Sequence, residues 1–229
     1  MAEQGSVVIV GVGPGLGAAL GRRFAASGYT AVLASRSLNK AEKIAEEIRN
    51  DGGQAHGIAI DGIDEASVTG LVRRAEEEFG PLKVAIYNAS GRVRKSVVDI
   101  EADEFVEAWM SACYGGFLLG REAARVMVPR GNGSILFTGA TASVKAFAKS
   151  AGFAVGKFGL RALAQSMARD LHPQGVHVGH FVVDGGIGVD EGETRLDPEA
   201  IAEVYHHFHT QPKSVWAWEI EVRPWVEGF

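Results

Sequence analysis

The chain has 229 residues, the length of one domain with a sizeable core. Hydrophobic residues make up 46% and charged residues 22%, with a net charge of −5, so nothing supports a nucleic-acid partner, which needs a basic face. Cys113 is the single cysteine, which excludes a disulfide framework and a cysteine-rich metal site and reads as a buried helical thiol.

In chain order, the N-terminal stretch has no basic leader and its apolar run is broken by glycines. It reads as neither signal peptide nor membrane span, so we expect a cytoplasmic protein. "SVVIVG" from Ser6 predicts a buried strand, and Leu16 to Ser27 a helix ending at Gly28. A second strand follows over Thr30–Ser35, then a charged helix over Leu38–Asn50 stopped by Gly52 and Gly53. Further strands are expected over Ala55–Asp61, Lys83–Ala89, Ser134–Gly139 and Val176–Val183. Helices are expected near Glu65–Phe79, Ala102–Val128 and Ala154–His172. Such alternation implies right-handed crossovers and an α/β, Rossmann-like, doubly wound parallel sheet, as one domain over residues 1–229.

The segment 190–229 reads as a lid, a C-terminal helix from Asp197-Pro198 to about His209, and a last strand in "SVWAWEIEVRP". In that strand Trp216, Trp218, Ile220 and Val222 would share one face, and Glu219, Glu221 and Arg223 the other. A bare edge with two tryptophans is costly, so a partner subunit is expected to cover it; the alternative is that the tail folds back on its own domain. His206 and His209 lie one helical turn apart, but no third ligand stands convincingly beside them. His172, His177 and His180 read as helix-end and strand residues, and no metal is expected.

The turn "GVGPGLG" links the first strand to the first helix, where a dinucleotide pyrophosphate sits in such folds. Gly11, Gly15 and Gly17 fit G-x-x-x-G-x-G. They allow, in order, a tight turn, close approach of backbone to phosphate, and close helix–strand packing. The helix start from Leu16 supplies N–H donors, while Pro14 removes one. The alternative is an ordinary glycine-rich turn. At the end of the second strand, Ser35 and Arg36, with Lys40 beyond, stand where a carboxylate would repel a 2′-phosphate. NADP(H) is therefore expected over NAD(H).

These motifs, in this order from Ser6 to Val222, resemble the short-chain dehydrogenase/reductase family. The resemblance implies that Asp61, followed by Gly62, contacts adenine. It also implies that Asn88 and Ala89 in "YNAS" match the family's Asn-Asn-Ala-Gly, and that Asp184-Gly185 stands for its Pro-Gly turn, putting Gly185 at the cofactor. The family's helper threonine aligns near Val189. Its catalytic asparagine, serine, tyrosine and lysine fall on Ala112, Ala140, Phe153 and Lys157, so only the lysine is retained. A register slip does not restore the acid, because no tyrosine lies between Tyr114 and Tyr205. Thr141, Ser143, Lys145 and Tyr87 are candidate pocket residues. Three readings remain. One is an oxidoreductase with unusual proton handling, acting on an imine, an enone or an activated carbonyl. The others are an inactive NADP(H)-binding sensor or scaffold, and a non-redox lyase or isomerase. The implied partners are a small-molecule substrate and further copies of the chain, as a homodimer or homotetramer.

Overall fold

In the computed structural model residues 5–228 are described; Met1 to Gln4, part of the stretch read as lacking a leader, and Phe229 lie outside the described residues. Strand β1 (Ser6–Val10) is buried throughout because both of its faces are covered: Val7 and Ile9 pack on one side, Val8 and Val10 on the other. The remaining strands are β2 (Thr30–Ser35), β3 (Gln54–Ala59), β4 (Leu82–Tyr87), β5 (Gly133–Thr138), β6 (Val176–Val183) and β7 (Glu219–Val222). They form one parallel sheet in the order β3-β2-β1-β4-β5-β6-β7.

Helices α1 (Leu16–Ala26), α2 (Leu38–Asn50) and α7 (Pro198–His209) fill the Ile9 side of the sheet with Leu20, Phe24, Ile48, Tyr205 and Phe208. Helices α3 (Glu65–Glu78), α5 (Gly115–Met127) and α6 (Ala151–Leu171) fill the other with Leu71, Leu118, Met127 and Leu160. This is the doubly wound architecture expected. The strand order reverses between β1 and β4, so the crevice beyond their carboxyl ends is where such a sheet binds ligands.

Three local expectations are corrected. The stretch expected as one helix over Ala102–Val128 is helical throughout but carries a π turn over Met110–Tyr114 between α4 (Ala102–Trp109) and α5. Helix α6 starts at Ala151, one turn before the expected Ala154. The last strand is only four residues long, so strict alternation does not reach the tryptophans. Trp216 stacks on His177 at 4.4 Å and donates its indole N–H to the Gln211 carbonyl. Trp218 packs on the α6 side under Arg161, whereas Ile220 and Val222 pack on the opposite side. Both tryptophans are thus half-buried within their own chain.

Candidate active site

Two adjoining cavities open at the switch point. One, of about 580 Å³, lies over the ends of β1, β2 and β3; the other, of about 980 Å³, runs from the glycine-rich turn to α6 and the segment after β6. Gly11, Gly13, Asn88 and Ser90 line both, so the cavities are halves of one cleft.

The glycines of the turn differ in the space around them. Gly11 has φ +92°, and a Cβ there would lie 2.3 Å from the Ala89 amide nitrogen. A Cβ on Gly17 would meet the Val12 Cα at 2.8 Å, so helix and turn pack without room for a side chain. At Gly13 and Gly15 nothing lies within 4 Å, which leaves the cleft floor open for a bulky anion. Helix α1 then points its first N–H groups at this space, with no side-chain cap to occupy them. Asn88 braces the floor by donating from Nδ2 to the Gly11 carbonyl at 3.0 Å.

The smaller cavity gathers Ser35, Arg36, Lys40, Asp61, Gly62 and Ala89. Arg36 is exposed at its rim. The Ser35 hydroxyl, expected as a phosphate donor, instead donates to the Ser37 carbonyl at 2.8 Å and shapes the turn. Asp61 accepts from the Ile63 N–H at 3.1 Å. The donor set fits a dinucleotide whose adenosine end carries extra negative charge, since the end of β2 offers cations and no carboxylate.

The larger cavity gathers Leu16, Ala140, Phe153, Lys157 and Gly185. Phe153 and Lys157 lie four apart on α6 and therefore share a face. Lys157 is 2% exposed and donates to the Thr138 carbonyl at 2.7 Å. Burial pulls its ammonium down to about 7, and the nearby Arg92 guanidinium acts in the same direction. That guanidinium sits 4.5 Å from the Phe153 ring centroid. The Thr138 hydroxyl accepts from Tyr205 at 2.9 Å, which ties the end of β5 to α7.

The other expected candidates fall elsewhere. Ala112 lines neither cavity: it is fully buried in the π turn, where Gly156 of α6 leaves room for it. Thr141 lines the cavity but donates to Asp184. Ser143 points inward and accepts from the Ala140 N–H at 3.1 Å, while Lys145 reaches over Phe147 outside the cavity lining. Tyr87 faces the smaller cavity and donates to the Ser111 carbonyl at 2.7 Å. Val189, near the expected helper threonine, is exposed and lines neither cavity. His209 uses both ring nitrogens, on Tyr29 and Ser134, and His206 meets Arg23. Among the described residues no three potential metal ligands cluster, and no helix is long and apolar enough to cross a membrane.

Sequence reading missed Arg92, Arg94, Lys149 and Arg195, all of which line the larger cavity. They come from three separate loops and belong to no periodic pattern. The nearest signal is the Arg-x-Arg pair just after "YNAS".

A family model described as short chain dehydrogenase matches residues 6–191. The chain belongs to the short-chain dehydrogenase family. Sorbitol-6-phosphate 2-dehydrogenase of Escherichia coli is 31% identical over 183 residues, 79% of this chain and 70% of that one. A solved short-chain dehydrogenase from Rhodopseudomonas palustris is 38% identical with a TM-score of 0.89, covering 96% of this chain and 99% of that one. A metagenomic short-chain oxidoreductase solved in complex with NADP is 25% identical with a TM-score of 0.87, over 97% of this chain and 98% of that one. The chain is therefore similar over nearly its whole length to oxidoreductases of one fold.

Proposed function

We propose that this short-chain dehydrogenase is an NADP(H)-dependent oxidoreductase whose active site works without a tyrosine acid. The observation that carries the reading is the continuous cleft from the glycine-rich turn to Lys157, in which Phe153 stands one helical turn before the lysine. The metagenomic relative solved with NADP supports the choice of cofactor.

When bound, the cofactor supplies or accepts a hydride. The chain's own residues bind and orient it: the α1 N-terminus and the open floor at Gly13 and Gly15 take the diphosphate. Arg36 and Lys40 would take the 2′-phosphate and Asp61 would face the adenine, since all three line the smaller cavity. Lys157 spends one donor on Thr138, and its remaining donors would hold the nicotinamide ribose. Phe153 has no proton to give and Ala140 no hydroxyl to polarise a substrate oxygen. A positioned acid contributes roughly 10²–10⁴-fold, and orientation of the reactants several kcal/mol more. Substrates that need no concerted protonation, such as an imine, an enone or an activated carbonyl, suit this cavity.

The test is to titrate NADPH and NADH, then follow consumption of reduced cofactor with imines, enones and carbonyls. NADPH binds more tightly, and Arg36→Ala weakens NADPH selectively by about 1.5–3 kcal/mol. Equal affinities in the unaltered protein overturn the cofactor assignment. Tight NADPH binding with no oxidation by any substrate favours the sensor or the non-redox reading, in keeping with the apolar side chains of Ala140 and Phe153 on the cavity wall.

A further inference from the structure

The chain carries 23 basic and 28 acidic residues, yet the wall of the larger cavity does not share that balance. Arg92, Arg94, Lys149, Lys157 and Arg195 line it, and no aspartate or glutamate does. Some arginines elsewhere are matched, Arg74 with Glu78, Arg130 with Glu76 and Arg161 with Glu219, while others on exposed helix faces, such as Arg73 and Arg169, are not, among the described residues. In the cavity Lys157 is committed to Thr138, and Arg195 donates to the Ile187 carbonyl at 2.8 Å. Arg92, Arg94 and Lys149 hold no hydrogen bond or ion pair among the described residues. Lys149 also has φ +61°, a left-handed conformation that disfavours a lysine and that a glycine would adopt without strain.

Arg92 is the most informative of the three. Its guanidinium lies over the Phe153 ring. A stacked guanidinium keeps its N–H donors in the plane at its edge, where they match a carboxylate or phosphate. Phe153 thus serves as a platform that holds a cation beside Lys157. Arg92, Arg94 and Lys149 are exposed at the cavity wall, and the Arg92 charge acts against that of Lys157, an opposition that a bound anion would relieve.

We propose that this part of the cavity takes a substrate bearing an anionic group, a carboxylate or a phosphate, held by Arg92, Arg94 and Lys149. The proposal names a substrate class for the cleft read above as the reaction site, and it rests on that reading.

The experiment is calorimetric titration at low ionic strength with succinate, inorganic phosphate and, as the uncharged match, 1,4-butanediol. The protein is first saturated with NADPH, so that the cofactor's own phosphate sites are filled. Succinate or phosphate is expected to bind saturably in the millimolar range, and the stronger of the two identifies the group. Arg92→Gln and Lys149→Gln each weaken that binding at least about tenfold, whereas Arg169→Gln, at the far end of α6, leaves it unchanged. Butanediol binding as well as the anions, no saturable anion binding up to roughly 50 mM, or wild-type anion affinity in both variants overturns the proposal. Failure of NADPH to bind in the first step is a separate result. It removes the oxidoreductase reading, and the same titration of the cofactor-free protein still decides the anion site.

Discussion

At the scale of single residues, Lys157 governs what the cleft does with protons. Its ammonium is pulled to about 7 by burial, below the ordinary lysine value. At low pH both folded and unfolded chains carry the charge, and the fold bears the whole penalty of burying it. Between about 7 and 10.4 the unfolded chain still holds the proton that the folded chain has released, so stability from this group rises with pH. Lys157→Met removes the effect. The stability gained by the variant over the wild type is therefore largest below pH 7 and shrinks through this window by up to about 1.4 kcal/mol per pH unit. Urea midpoints of both proteins measured across that range check the slope. Phe153 is the second decisive residue. Phe153→Tyr combined with Ala140→Ser places an acid and a hydroxyl on the cavity wall, and ketone reduction is expected to rise by about 10²-fold or more. Single-turnover rates measure it, and an unchanged rate counts against the missing-acid account. Ala112 is left out of this design because it is packed on Gly156 and faces neither cavity.

At the scale of elements, the strand–turn–helix unit of β1 and α1 separates folding from binding. Gly11 is held at φ +92° against Ala89, so Gly11→Ala forces both a strained backbone and a collision. It is expected to cost at least about 2 kcal/mol of stability. Gly15 faces open space, so Gly15→Ala leaves stability within about 0.5 kcal/mol of the wild type. Its Cβ nevertheless enters the floor proposed above for the diphosphate, so NADPH affinity is expected to fall. Denaturation and NADPH fluorescence titration on the two variants read out the opposite pattern. A Gly15→Ala protein that binds NADPH normally rejects this floor as the cofactor's seat. The π turn at Met110–Tyr114 belongs to the same scale. It carries Ser111, whose carbonyl takes the Tyr87 hydroxyl, and so fastens the π turn to the end of β4.

At the scale of the whole molecule, the packing of the two tryptophans within their own chain moves the argument for assembly elsewhere. Trp216 and Trp218 are packed within the chain, and Glu219 links β7 to Arg161 and His180. Exposed apolar side chains stand instead on the outer helices: Val106 on α4, Phe117 on α5, and Val155 and Phe158 on α6. We propose that these helices meet a second copy of the chain. Light scattering is expected to give at least twice the protomer mass of 24.3 kDa. Phe158→Glu is expected to shift the population to the monomer, since it puts a charge on the apolar patch. A monomeric wild type at micromolar concentration removes the idea.

The sequence by itself determined the layering of this protein and the backbone of its glycine-rich turn. Runs such as "SVVIVG" bury both faces of a strand whatever surrounds them, and the spacing of Gly11, Gly15 and Gly17 is a local backbone requirement. Those features depend on neighbours in the chain, so they are legible there. The tertiary structure alone decided the rest. The π turn that buries Ala112 depends on contact with α6, and Ser35 and Ser143 were claimed by nearby backbone groups that composition does not reveal. The fate of Trp216 rested on His177, a partner from β6. The cationic wall of Arg92, Arg94, Lys149 and Arg195 exists only because three loops, far apart in the chain, converge at the carboxyl ends of the strands. No periodicity records such convergence, because charge on a loop has meaning only beside what the fold brings to it.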